Sequence, residues 1–240
     1  MNHTQFRDFE GERLYLQTVS KEDLMIHLVR YQFAMNEVQG VTLDVACGVG
    51  YGSFLLCSST NVSKVFGCDV DLGAIDCAKE IFSSNKLTYQ IEDGTNLSFK
   101  NNYFDSVVSL ETVEHIPRVS EFFDEVSRVL KQDGTMVFSV PNRVFYSDAG
   151  WKNEFHYSEM NFQEFKEIAE KYFTEVTLYY QLMSPVDGLL LLRKYISRLL
   201  TEATFKRLKR IVNRWTLRQK IAKGMWKEYG IDFELSLIHI

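Results

Sequence analysis

Leu43-Asp44-Val45-Ala46-Cys47-Gly48-Val49-Gly50-Tyr51-Gly52 is the stretch that decides the fold. A short apolar run, 41–46, meets three glycines spaced two apart, and a helix-like run from Ser53 to Ser58 follows at once. That is a strand, a tight turn and a helix N-terminus, an arrangement that aims backbone N–H groups at a nucleotide-like ligand. A second apolar strand, 64–68, ends in Asp69, nineteen residues after Gly50. An acid there can accept hydrogen bonds from both hydroxyls of a ribose.

The glycine spacing narrows the ligand. A dinucleotide fingerprint, GxGxxG, aligned on Gly48 and Gly50 would put its third glycine at position 53, which is Ser53. The spacing present is GxGxG with Asp44 ahead of it. It resembles motif I of the class I S-adenosylmethionine (SAM)-dependent methyltransferases. SAM has no pyrophosphate, so the glycines need only let the backbone approach closely. The resemblance implies a SAM site built from Asp44, Gly48, Gly50, Asp69, Val70, Asp93 and Gly94. In it Asp44 orients the loop by accepting backbone N–H bonds, Val70 packs on the adenine, and Asp93 accepts from the adenine amino group.

Strands are predicted at 41–46, 64–69, 87–91, 104–110, 134–140 and 174–180, and helices near 20–38, 51–59, 72–83, 118–130 and 161–171. Lys131-Gln132-Asp133-Gly134 has the composition of a helix exit turn. Alternation of this kind gives an α/β fold, a Rossmann-like, doubly wound, mostly parallel sheet. The family resemblance implies strand order 3-2-1-4-5-7-6, with an antiparallel seventh strand. Domain expectations follow: 1–183 for the SAM-binding domain with its N-terminal helix, 184–229 for a basic amphipathic helical insertion, and 230–240 for a partial last strand. Residues 235–240, LSLIHI, resemble the translation of a transposase sequencing adapter. On that reading the natural frame is cut after about Glu234 and His239 carries no function.

After the fourth strand comes Glu111-Thr112-Val113-Glu114-His115-Ile116-Pro117. Methyl transfer from a sulfonium is an in-line displacement, so alignment is the main task. A hydroxyl nucleophile must also lose its proton, and histidine is suited to take it near neutral pH. His115 is therefore a candidate general base, with Glu111 beside it. A second reading makes Glu111, Glu114 and His115 ligands of Mg²⁺ or Mn²⁺, because i, i+3, i+4 spacing on one helical turn would put them on one face. The ExxEH string resembles the ubiquinone-pathway O-methyltransferases and the small-RNA 3′-terminal 2′-O-methyltransferases, which add a later histidine. His156 of Phe155-His156-Tyr157 would be that fourth ligand.

The 240 residues are 45% hydrophobic and 25% charged, ordinary values for a globular chain. The N-terminus is polar, without a signal-peptide pattern, and no apolar run is long enough to span a bilayer, so a cytoplasmic protein is expected. Cys47, Cys57, Cys68 and Cys77 lack CxxC spacing and are expected to be buried, reduced thiols. Net charge is −5, yet Leu189 to Glu228 carries twelve Lys/Arg against two Asp/Glu, leaving −15 on the remainder. Such a segment can lie peripherally on an anionic membrane, dock a phosphorylated acceptor, or be a plain surface helix with a solvated basic face. The acidity of the remainder argues against a broad nucleic-acid surface.

Gly11-Glu12-Arg13 and His27 to Ala34 resemble the entry helix of bacterial methyltransferases from capsule and other glycan loci, in which Arg30 or Tyr31 could reach the SAM carboxylate or cover the site. That resemblance implies a sugar or glycan hydroxyl as acceptor. An RNA ribose, a quinone precursor and a non-catalytic SAM-binding scaffold stay open as alternatives.

Overall fold

A computed structural model describes residues 21–145, 147, 148, 153–181, 238 and 239. The described residues fall into two units. The larger, within 30–176, holds a five-stranded parallel sheet of order β3-β2-β1-β4-β5. Its strands are β1 (Gly40–Val45), β2 (Val62–Asp69), β3 (Leu87–Ile91), β4 (Phe104–Leu110) and β5 (Leu130–Ser139). The intervening helices are α2 (Tyr51–Leu56), α3 (Leu72–Ile81), α4 (Val119–Val129) and α5 (Phe162–Tyr172), preceded by α1 (Lys21–Glu37). The Rossmann-like α/β class read from the sequence is the one observed.

The central strands β1 and β4 are almost wholly buried, as a sheet covered on both faces requires. Two ring clusters pack on the sheet, the second of them against α4 and α5. Phe66 packs edge-on to Phe99, Tyr103 and Phe104, and Phe123 meets Phe122, Phe138, Tyr172 and Phe173. Each fully buried ring contributes about 1.5–3 kcal/mol by transfer from water. Helix α4 has no side-chain cap at Arg118 and is held instead by its apolar face, Phe122, Phe123, Val126 and Val129. Helix α3 starts on Asp71, whose Oδ1 accepts from Gly73 N and Ala74 N, and α5 starts on an Asn161–Glu164 capping box.

Three expectations need correction. Lys131 to Gly134 is no free exit turn: α4 runs straight into β5, and these residues bulge out between the pairs Phe104↔Leu130 and Ser106↔Thr135. Pairing with β4 overrides their loop-like composition. The sixth strand is short. Only Tyr179–Tyr180 (β6) is extended and paired, and it pairs antiparallel with Ile238–His239 (β7) in a separate two-stranded sheet. That pair belongs to the smaller unit, where Gln181 Nε2 also donates to Ile26 O at 3.0 Å. Finally, Cys47 and Cys68 are buried free thiols, but Cys57 and Cys77 are half-buried, because they lie on outward-leaning positions of α2's end and α3.

The basic segment 189–228 and Gly11 to Arg13 lie outside the described residues. Among the described residues no helix is long and apolar enough to cross a membrane.

Candidate active site

The functional residues gather at the carboxyl ends of the strands. After β1 the chain passes through three left-handed positions, Ala46 (φ 58°), Gly48 (φ 54°) and Gly50 (φ 83°). Ala46 gave no sign of this in the sequence, since left-handed backbone normally calls for glycine. The loop is pinned by Cys47 N–H to Cys68 O at 2.8 Å, Gly50 N–H to Cys47 O at 3.1 Å, and Tyr89 OH to Gly50 O at 2.8 Å. A Cβ on Gly48 would meet nothing within 4 Å, so this part of the loop faces open space.

The part expected of Asp44, accepting a loop N–H, falls to Asp69. Asp44 is fully buried and accepts from side chains: Ser53 Oγ at 2.6 Å and Tyr31 OH at 3.3 Å. It is Asp69 that takes the loop N–H, Gly48 N to Oδ2 at 2.9 Å, and it also accepts from Asp71 N at 3.0 Å. Burial pushes the Asp44 carboxyl up to about 7, against the pull of the Ser53 and Tyr31 hydrogen bonds. Tyr31 is core, with its ring edge-on to Tyr51, so it does not cover the site.

Val70 follows Asp69 with 66% of its surface exposed, an apolar side chain left open where β2 ends. Asp93 is half-exposed; its Oδ1 accepts from Thr95 N and Thr95 Oγ1 at 2.8 and 2.7 Å. Those bonds hold its carboxyl below the usual range, helped by the Arg118 guanidinium. At Gly94 a Cβ would press on Phe122 and Val45 at 3.1 Å, so its bareness serves packing.

Beyond β4 the expected single helical turn does not form. Glu111 sits at φ 52°, and a separate 3₁₀ turn covers Val113–His115. Glu111 thereby turns away from the i, i+3, i+4 face. Its N–H donates to Ser139 O at 2.9 Å, its Oε1 accepts from Ser139 Oγ at 2.7 Å, and its Oε2 lies 3.1 Å from Arg30 Nη1. Tyr51 senses this pair: burial is the main cause of its raised hydroxyl pKa, with the charges of Arg30 and Glu111 pulling in opposite directions.

Glu114, His115 and His156 are brought together instead, each offering a ligand atom within 4.8 Å of the others. Glu114 is buried, and its Oε1 lies 3.9 Å from His115 Nε2. The two imidazoles pack edge to face, centroids 4.8 Å apart. His115 Nδ1 lies 3.0 Å from Phe155 O, and His156 Nδ1 bonds the Glu159 carboxylate. Glu159 is a residue that sequence reasoning missed; the i, i+3 spacing from His156 was its only signal. Its carboxyl is held low by hydrogen bonds from Ser147 and His156, although burial opposes this.

The methyltransferase domain family matches residues 43–138. Over this stretch, about two fifths of the chain, the sequence is similar to methyltransferase domains. The chain is 28% identical over 147 residues to a "probable S-adenosylmethionine-dependent methyltransferase" of Mycolicibacterium smegmatis, covering 60% of this chain and 56% of that one. It is 32% identical over 149 residues to a mitochondrial ubiquinone biosynthesis O-methyltransferase of Dictyostelium discoideum, covering 56% and 43%. The chain thus spans about half the length of these curated relatives. In fold it is similar to Haemonchus contortus phosphoethanolamine N-methyltransferase 2 in complex with SAM, with a TM-score of 0.53 at 18% identity over 82% of this chain and 49% of that one. The matched methyltransferase domain takes in the glycine loop, Asp69, Asp93 and Glu111 to His115. It ends before His156 and Glu159.

Proposed function

We propose that the chain methylates a hydroxyl acceptor, with SAM bound along the carboxyl ends of β1, β2 and β3 and His115 taking the acceptor's proton. The anchoring of His115 carries this reading. A carbonyl oxygen can only accept, so the Nδ1 facing Phe155 O holds the ring proton and Nε2 holds the lone pair. The Glu114 carboxylate near Nε2 stabilises the imidazolium once a proton has arrived. The cradle suits SAM: open space over Gly48, a carboxylate at Asp69, an exposed apolar side chain at Val70, and a second carboxylate at Asp93. When bound, SAM supplies an electrophilic methyl on a sulfonium. Gly48, Asp69 and Asp93 then serve to bind and orient, and His115 to hold the proton.

The acceptor hydroxyl could belong to a sugar or glycan, as the entry-helix resemblance implies, or to a quinone precursor, in keeping with the relative named as a ubiquinone biosynthesis O-methyltransferase. An anionic partner for residues 189–228 rests on their charge. His115→Asn should lower turnover by about 100-fold or more, the usual worth of a positioned base. SAM binding by calorimetry should be kept. Unchanged turnover would remove His115 as the base.

One observation favours a metal as a second reading. Both Nδ1 atoms are held by acceptors, His115 Nε2 lies 3.9 Å from Glu114 Oε1, and two imidazoles with one carboxylate, each offering a ligand atom within 4.8 Å of the others, fit a divalent ion such as Mn²⁺. Such an ion would lower the pKa of a bound hydroxyl. The ligand set would be Glu114, His115 and His156, with Glu111 left to Arg30 and Ser139. Mn²⁺ titration should then give a binding heat that Glu114→Ala abolishes and Glu111→Ala keeps. No heat with the wild-type chain would discard the metal.

A further inference from the structure

Strand β3 ends the sheet on one side, and among the described residues only β2 pairs with it. Val65 N–H donates to Lys86 O at 2.7 Å and Glu92 N–H to Asp69 O at 3.1 Å, which fixes the alternation between them. Lys86, Thr88, Gln90 and Glu92 address β2. The backbone N–H and C=O of Tyr89 and Ile91, and the C=O of Leu87, therefore point away from the sheet. Leu87 N–H already donates to Ser84 O at 3.1 Å. Sheet edges are commonly closed by a proline, a bulge or an inward-pointing charge, and β3 has none of these. Two of its side chains are also incomplete. Ile91 is 50% exposed, and Gln90 Oε1 is buried without a hydrogen-bond partner among the described residues. A buried acceptor left unpaired is costly, so a donor from outside would be favoured there.

We propose that β3 is a dimerisation edge, taken up by β3 of a second copy of this chain in antiparallel pairing centred on Tyr89. The sequence there, Lys86-Leu87-Thr88-Tyr89-Gln90-Ile91-Glu92, is complementary to itself. About a twofold axis at Tyr89, Lys86 faces Glu92 of the second copy, Leu87 faces Ile91, and Thr88 faces Gln90. Opposite charges, two apolar side chains and two polar ones are matched, with the reciprocity that a twofold interface requires. The backbone agrees with this register. Tyr89 meets its own copy and Leu87 meets Ile91 at hydrogen-bonded positions, and these are the residues whose groups point outward. Tyr89 N–H donates to Tyr89 O and Ile91 N–H to Leu87 O, each in both directions, without calling on the occupied Leu87 N–H. A slip of one residue would put outward-pointing groups opposite inward-pointing ones. Thr88 and Gln90 meet at the non-hydrogen-bonded position, where side chains are closest, and the exposed Thr88 hydroxyl can donate to the buried Gln90 Oε1. Leu87 of the second copy covers Ile91. Lys86 Nζ donates to Val62 O at 2.8 Å and the Glu92 carboxylate accepts from Ser98 N at 3.0 Å, so both charges are held near the strand ends. The strip is short beside a standard protein–protein interface, so the dimer is a weak one.

Sedimentation velocity on the full chain, from about 1 to 300 µM, should show monomer passing to dimer with a Kd of about 10–100 µM. Lys86→Glu and Glu92→Lys each place two like-charged pairs across the interface, and each should raise that Kd by about tenfold or more. Mixed in equal amounts, the two variants should dimerise again, because one strand is then acidic at both ends and the other basic at both ends. Mixing would not repair a variant that had merely lost structure. Amide exchange over residues 87–91 should slow between low and high concentration in the wild type, and in neither variant alone. The dimerisation edge is overturned if the wild type stays monomeric over the whole range, or if it dimerises with exchange at 87–91 unchanged. It is also overturned if the single variants dimerise as well as the wild type, or if their mixture pairs no better than either alone.

Discussion

Gly52→Ala is expected to lower the unfolding free energy by about 3 kcal/mol, while Gly48→Ala, four residues away, is expected to leave the fold nearly intact and remove cofactor binding. A Cβ at Gly52 would land on the Tyr31 ring. That ring is buried, packed edge-on to Tyr51 at 5.6 Å, and tied by its hydroxyl to Asp44, so it has no free space to enter. Overpacking a core costs about 1–3 kcal/mol, and losing the Tyr31–Asp44 bond adds about 1 kcal/mol more. Against a typical total of about 5–15 kcal/mol this is a large fraction. A Cβ at Gly48 would meet open space, and only the left-handed backbone at φ 54° opposes it, by about 1–2 kcal/mol. The open space is where the bound cofactor would lie, so SAM affinity should fall by more than about tenfold. Urea midpoints measure the first effect and calorimetry the second. A Gly48→Ala protein that binds SAM normally would remove the glycine loop as the cofactor cradle.

The contrast explains what was legible in the sequence. Strand, glycine turn and helix are local features, and the run from Leu43 to Gly52 displays them directly; so do the apolar runs of β2, β3 and β4. The parts that misled depend on contacts between distant residues. Lys131 to Gly134 reads as a turn because its composition is polar and ends in glycine, but register with β4 draws it into a bulged strand. Glu111 reads as a metal ligand on helical spacing, but φ 52° breaks the helix and hands its carboxylate to Ser139 and Arg30. Asp44 and Asp69 are both acids at strand ends. Which of them takes the loop N–H is decided by the side chains of Tyr31 and Ser53, which reach Asp44 first.

The same division runs through the site. The proposed cofactor cradle lies inside the span matched to the methyltransferase domain, 43–138. Phe155 and His156, which reach His115, and the neighbouring Tyr157 and Glu159 lie beyond it. Their arrangement comes from backbone hydrogen bonds to Glu114 and Ile116, which no spacing rule encodes.

Asp44 should make the fold lose stability as pH rises, the reverse of the usual carboxylate. Burial raises its carboxyl from an ordinary 3.8 to about 7 in the folded chain. The unfolded chain therefore releases this proton near pH 4, while the folded chain keeps it to about pH 7. Its contribution is fully present below about pH 4, declines from there to about pH 7, and is constant above. The change amounts to about 4 kcal/mol at 1.36 kcal/mol per pKa unit, as an order of magnitude. Asp44→Asn keeps an oxygen for Ser53 and Tyr31 but cannot ionise. Its stability between pH 5 and 8 should be flatter than that of the wild type, and the variant should be the more stable protein at pH 8. Asp44→Ala would instead strand two buried hydroxyls and should be less stable at every pH, by about 2–4 kcal/mol. Urea midpoints for the three proteins at pH 5 and 8 decide it. Equal pH slopes for wild type and Asp44→Asn would mean that Asp44 is ionised throughout, with Ser53 and Tyr31 sufficient to hold its charge inside the core.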